Sequence, residues 1–179
     1  MWWKTSISIL HFVVARKGEN EYNVRAMGKF QIEGRKTVAG THRVPGNKNA
    51  ALPMIAAALL TAEPVTLRNM PAISDVERML DCARRFGAKV TRDGAARTVT
   101  IEAKRLKTVR LDPALARQIR TSVLFAGPLL ARAGGVSLPP PGGDGIGHRR
   151  LDTHFAGFAA LGAKVKAGRR ILSVRAPRG

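Results

Sequence analysis

Gly87-Ala88-Lys89-Val90 returns as Gly162-Ala163-Lys164-Val165, an offset of 75 residues (162 − 87). Each copy closes a stretch with apolar residues at helical spacing, Val76 to Phe86 and Leu151 to Leu161. In both, glycine stands where a helix end needs a left-handed residue, and a short strand follows. A second β-pattern comes next, Thr98-Val99-Thr100-Ile101 in the first copy and Ile171-Leu172-Ser173-Val174 in the second. Upstream, Val65-Thr66-Leu67 matches Val136-Ser137-Leu138 at an offset of 71 (136 − 65). Earlier still lie two Ala/Leu-rich helical stretches, Ala50 to Leu60 and Ala114 to Leu130. The order helix, strand, loop, helix, strand, strand therefore occurs twice. That order predicts an α/β (α+β) chain of two repeated units, at about 37–104 and about 109–176. One such unit cannot bury both faces of its helices alone, so repeats must pack on one another.

The two offsets differ by four residues (75 − 71), and the excess falls between the second unit's Val-Ser-Leu strand and its second helix. That segment is Pro139-Pro140-Pro141-Gly142-Gly143-Asp144-Gly145-Ile146-Gly147-His148-Arg149-Arg150. Insertions into a repeat tend to build sites, because loops carry function on a regular scaffold.

Composition narrows the classes. With 179 residues and 45% apolar content the chain can build a core, and Ala, Leu, Val and Ile must fill it because aromatics make up only 5%. The single Cys82 excludes an internal disulfide, and no Cys/His cluster has metal-ligand spacing, so no metal or other cofactor is expected and the pattern fits a reducing cytoplasm. Residues 1–26 read as a loose N-terminal extension. Their apolar stretch is too short and polar to span a bilayer, and no A-x-A-like cleavage site follows it. The formal charge of +19 admits a nucleic-acid partner, an enzyme for small polyanions or simply an Arg-rich surface. The basic residues are scattered and no aromatics alternate with them, so neither nucleic acid nor membrane is the expected partner.

Four segments can carry chemistry. Val44-Pro45-Gly46-Asn47-Lys48-Asn49-Ala50-Ala51-Leu52-Pro53 is a Pro-Gly turn running into a helix capped by Asn47 or Asn49, with Pro53 tolerable only in the first turn. A cation there opposes the helix dipole, yet an ammonium beside free N–H groups makes a seat for phosphate or carboxylate. The alternative is an ordinary capped helix with a solvated lysine. Asp144, flanked by glycines, is either a turn residue making Asx-type bonds or a general acid/base in a loop that can approach a ligand closely. Arg149-Arg150-Leu151-Asp152-Thr153-His154 puts two arginines and a histidine near a helix start, which suits a diphosphate or a carboxylate. Taken alone, Asp152 is an ordinary first-turn acid and His154 a surface residue. Arg120, opening an apolar stretch in Gln118-Ile119-Arg120-Thr121-Ser122, either snorkels or points into a cleft.

In this order the segments resemble the UDP-N-acetylglucosamine 1-carboxyvinyltransferases of the enolpyruvyl transferase family. Residues 46–53 resemble their G-x-K-N-A-A-L-P signature, and Ile119-Arg120-Thr121-Ser122 with Gly127-Pro128-Leu129-Leu130 their R-[AT]-S…G-P-L-L pattern. Pro141-Gly142-Gly143-Asp144-x-Ile146-Gly147 resembles their P-G-G-C-x-I-G loop, and Arg149-x-x-Asp152-x-His154 the motif after it. The shikimate-phosphate relatives open that first helix with P-G-S-K-S instead, which makes them the alternative; a non-catalytic basic fragment is another.

The resemblance implies an inside-out α/β barrel of βαβαββ-type units, two of them present within a partial domain at 27–179. It implies transfer of the enolpyruvyl group of phosphoenolpyruvate to the 3-hydroxyl of UDP-N-acetylglucosamine, the first committed step of peptidoglycan synthesis, with phosphate released. Lys48 and Arg149 would hold the phosphate and carboxylate of phosphoenolpyruvate, with Asn49 in the same cleft beside the acceptor sugar. Arg120 and the run Arg149, Arg150, Leu151, Asp152 and Thr153 would line the nucleotide-sugar side, and His154 completes that motif. Asp144 stands where many members carry the cysteine that donates the proton. An Asp lacks the soft nucleophile that fosfomycin alkylates, which implies resistance. The resemblance also implies a second half of the enzyme beyond this sequence, holding the base, and therefore an isolated chain that does not turn over.

Overall fold

The computed structural model describes residues 39–139, 151–168 and 171–177. The chain divides into Met1–Arg43, of which the described residues 39–43 carry no helix or strand, and Val44–Gly179. The second part runs α1 (Lys48–Ala57) with a 3-10 turn (Ala58–Leu60), β1 (Val65–Leu67), α2 (Ser74–Phe86), β2 (Lys89–Asp93) and β3 (Thr98–Glu102). It continues with α3 (Pro113–Gln118), a 3-10 segment (Arg120–Phe125), α4 (Ala126–Ala133), β4 (Gly135–Leu138), α5 (Asp152–Ala160), β5 (Lys164–Ala167) and β6 (Leu172–Arg175).

The repeated Gly-Ala-Lys-Val is a repeated helix end. Gly87 (φ 108°) donates to Arg84 O at 2.9 Å and Ala88 to Ala83 O at 3.0 Å; Gly162 (φ 84°) donates to Ala159 O and Ala163 to Phe158 O, both at 2.9 Å. This pair of bonds is the Schellman arrangement, and its left-handed residue favours glycine. Each end delivers the chain into the third member of an antiparallel sheet, ordered β1-β3-β2 in one case and β4-β6-β5 in the other. The registers correspond too. Val65 faces Ile101 and Leu67 faces Val99 in the first sheet; Val136 faces Val174 and Leu138 faces Leu172 in the second. These apolar residues point inward, while Thr66, Thr91 and Thr100, or Ser137, Lys166 and Ser173, alternate with them. The outer edge of β4 is partly covered by residues 109–111, Ser137 donating to Val109 O and Leu111 to Ser137 O.

The helices supply much of the core. On α2, Val76, Met79, Leu80, Ala83 and Phe86 recur at helical spacing and are buried, and Asp75 and Glu77 in its first turn complement the dipole. The helix packs against α1 and the Arg120–Phe125 segment. There Phe86 and Phe125, both fully buried, meet edge to face with centroids 5.1 Å apart. Arg132 of α4 adds a polar tie, one guanidinium nitrogen donating to the carbonyls of Leu59, Thr61 and Ala103 at 3.2, 2.8 and 2.6 Å. Its counterpart in the second repeat is covered less: α5 has no fully buried residue, Phe155 and Phe158 are half-buried, and Leu161 is exposed.

Two expectations are corrected. The stretch Ala114 to Leu130 is three pieces rather than one helix. Ile119 is extended (φ −147°, ψ 124°), a 3-10 segment follows, and a new helix starts at Ala126. Pro128 accounts for the restart, since its ring cannot sit one turn above Leu124 in a continuous α-helix but fits the first turn of α4. Pro53 lies beyond the first turn, as the sixth residue of α1. It removes the bond to Asn49 O but is exposed, so its ring meets solvent rather than core.

Candidate active site

The start of α1 is fixed by what precedes it. A β-carbon on Gly46 would fall 1.8 Å from the carbonyl oxygen of Asn69, so only glycine lets the two backbones pass. We expect Gly46→Ala to displace the 45–48 turn and to lower the thermal midpoint by several degrees, read by circular dichroism; an unchanged midpoint would contradict this close approach. Asn47, not Asn49, is the cap: its Oδ1 accepts from Asn49 N at 2.7 Å and Ala50 N at 3.3 Å. Two of the amides expected to be free thus already have an internal acceptor.

Lys48, the first helical residue, is half-exposed and donates from Nζ to Asp75 Oδ2 at 2.7 Å. Asp75 also accepts from Arg78 at 3.3 Å. Asp75 is the residue that sequence reasoning missed: it reads as an ordinary first-turn acid, and only packing of α1 on α2 brings it to a lysine 27 positions away. Asn49 is exposed on the same first turn. Arg120, half-buried, heads the 3-10 segment that packs on α1, so Lys48 and Arg120 sit on neighbouring elements.

Leu151 precedes α5, and Asp152, Thr153 and His154 form its exposed first turn, with His154 N and Phe155 N donating to Leu151 O at 3.0 and 3.2 Å. This helix packs on β5. Asp144, Arg149 and Arg150 lie outside the described residues. A depression of about 260 Å³ opens behind the 45–46 turn, lined by Pro45, Met70, Pro71, Arg92, Arg97 and their neighbours, and contains none of the expected site residues. Arg92 there is paired with Glu77. Among the described residues, no group of three His, Cys, Asp or Glu side chains converges as a metal site. No helix among them is long and apolar enough to cross a membrane.

Cys82 matters because it is the chain's one thiol. It is fully buried on α2, and burial, aided by the neighbouring Asp81 charge, pushes it up to about 12 from an ordinary 9.0. The thiolate is the nucleophilic form and this side chain is fully buried, so Cys82 is not placed to stand in for the loop residue. Iodoacetamide is expected to leave the native chain unlabelled at pH 8 and to add one group per chain in denaturant; rapid native labelling would contradict this burial. Because the folded pKa is raised, the neutral thiol's contribution to stability is complete below pH 9 and is lost as pH rises from 9 towards 12.

The fold is similar to those of solved enolpyruvyl transferases. The enolpyruvyl transferase NikO from Streptomyces tendae is similar in structure, with TM-score 0.65 and 25% identity over 82% of this chain and 32% of that one. EPSP synthase from Acinetobacter baumannii shares the fold at TM-score 0.53 and 17% identity, over 76% of this chain and 32% of that one. The chain belongs to the EPSP synthase (3-phosphoshikimate 1-carboxyvinyltransferase) family, whose model matches residues 32–177. Among curated relatives, the UDP-N-acetylglucosamine 1-carboxyvinyltransferase of Bradyrhizobium diazoefficiens is 51% identical over 150 residues, 84% of this chain and 34% of that protein. The protein of the same name from Treponema pallidum is 53% identical over 140 residues, 78% of this chain and 33% of that protein. The chain spans about a third of the length of these relatives.

Proposed function

We propose that this chain is the phosphoenolpyruvate-binding portion of a UDP-N-acetylglucosamine 1-carboxyvinyltransferase. The observation that carries the reading is the helix start Gly46-Asn47-Lys48-Asn49, built on a glycine-only crossing and presenting an ammonium at a helix N-terminus. The relatives carrying the UDP-N-acetylglucosamine name reach 51–53% identity here, whereas the described shikimate enzyme reaches 17%. That contrast favours the nucleotide sugar as acceptor.

In this reading the described repeats belong to an inside-out barrel of βαβαββ-type units, at about 37–104 and about 109–176 within a domain beginning near Met27, after an extension over residues 1–26. Lys48 and Arg149 hold the phosphate and carboxylate of phosphoenolpyruvate, with Asn49 beside the sugar. Arg120, Arg149, Arg150, Leu151, Asp152, Thr153 and His154 line the nucleotide-sugar side. Asp144 gives its proton to C3 while the sugar's 3-hydroxyl oxygen bonds to C2. The tetrahedral intermediate then loses a proton from C3 and expels phosphate, restoring the double bond. Holding a polyanion and orienting two substrates supply most of the rate in such a reaction. The base for the sugar hydroxyl belongs to the part of the relatives that this chain does not span. Both substrates are water-soluble, which fits action in the cytoplasm. Thermal shift of the chain with UDP-N-acetylglucosamine and with shikimate 3-phosphate tests the acceptor. Stabilisation by the first supports the reading, and stabilisation by the second alone would overturn it.

A further inference from the structure

Both halves of the proposed anion seat are occupied by the protein's own oxygens. Asn47 Oδ1 takes the amides of Asn49 and Ala50, and Asp75 takes the ammonium of Lys48 at 2.7 Å. The second contact is between elements: Lys48 opens α1 and Asp75 lies in the first turn of α2, which packs against it. Asp75 is only partly exposed, with a side chain 29% accessible, and it keeps a second cation, Arg78, at 3.3 Å.

We infer that Asp75 is an internal counter-anion for Lys48, which a phosphate or carboxylate must displace before it can occupy the seat. This rests on Lys48 being the anion-binding lysine proposed above. The chemistry is exchange of one charge-assisted bond for another. Lys48 leaves the Asp75 carboxylate for the incoming oxygen, and Asp75 stays paired with Arg78, so no carboxylate is left without a cation. The arrangement sets a threshold of charge. A monoanion offers the ammonium little more than Asp75 already does, whereas a phosphate dianion offers a stronger partner. Asp75 thereby discriminates among anions, as well as holding the lysine's four-carbon chain over the helix start while the site is empty.

The test is a titration of the full chain with inorganic phosphate in low-salt buffer, following the backbone amides of Lys48, Asn49 and Ala50 by heteronuclear NMR. Asp75→Asn keeps the shape and removes the competing charge; Asp75→Ser, which suits a helix start, is the second variant if the first is poorly folded. Either is expected to bind phosphate roughly threefold to tenfold more tightly than the parent, from loss of one nearby like charge in a largely solvated site. The gain should disappear when Lys48→Ala is added, which separates action through Lys48 from a freed Arg78. Phosphate binding that perturbs these amides equally in parent and Asp75 variants, or more weakly in the variants, overturns the role of Asp75 and leaves the seat standing. A gain that survives Lys48→Ala also overturns it. If phosphate moves none of these amides in any protein, the anion seat itself is wrong and Asp75 falls with it.

Discussion

Phe86→Ala is expected to lower the stability of this chain by about 3–5 kcal/mol, the range for deleting a fully buried aromatic ring. Phe86 is 0% exposed at the last turn of α2 and meets Phe125 of the 3-10 segment at 5.1 Å. The ring therefore joins the first repeat to the helical run that opens the second. A small domain has only about 5–15 kcal/mol in total, so this loss removes a large share of the chain's stability. Equilibrium urea unfolding at 15 °C measures it. A loss below about 1 kcal/mol would mean that the two repeats do not share one core. Phe155→Ala on half-buried α5 provides the contrast, with a smaller cost expected.

The second large effect concerns Asp144 in the complete protein. Asp144→Asn, which keeps the shape and removes the transferable proton, should reduce turnover by roughly 10²–10⁴, the usual worth of a positioned general acid. Asp144→Cys should retain turnover and become sensitive to fosfomycin, because a thiolate is alkylated and a carboxylate is not. The acid must be protonated to act. Since a free carboxyl titrates near ~3.9 and a free thiol near ~8.5, the parent should lose activity at lower pH than the Cys variant. Full activity in Asp144→Asn, or identical pH profiles for parent and Asp144→Cys, would remove Asp144 from the mechanism. Fosfomycin attached to Asp144 by mass spectrometry would remove the resistance argument.

Much of the fold was legible because its decisive features are local. Gly87 and Gly162 announce helix ends by needing positive φ, and both ends have the same pair of backbone bonds. The strands after them carry period-two apolar patterns that survive as paired registers. The break at Ile119 was not legible, since neither Ile119 nor its immediate neighbours include a Gly or Pro that would announce it. For the site, the motif marked the helix start correctly but left its cap open between Asn47 and Asn49; hydrogen bonding decides for Asn47. Asp75 had no signal of its own, because a contact across 27 residues has no periodicity to announce it.

Phosphate release by the complete protein, with phosphoenolpyruvate and one acceptor at a time, tests the central claim most directly. UDP-N-acetylglucosamine should support release with formation of its enolpyruvyl ether, and Lys48→Ala should reduce that release at least tenfold through loss of a charge-assisted phosphate contact. Release with shikimate 3-phosphate but not with UDP-N-acetylglucosamine, or release indifferent to Lys48, would contradict the account.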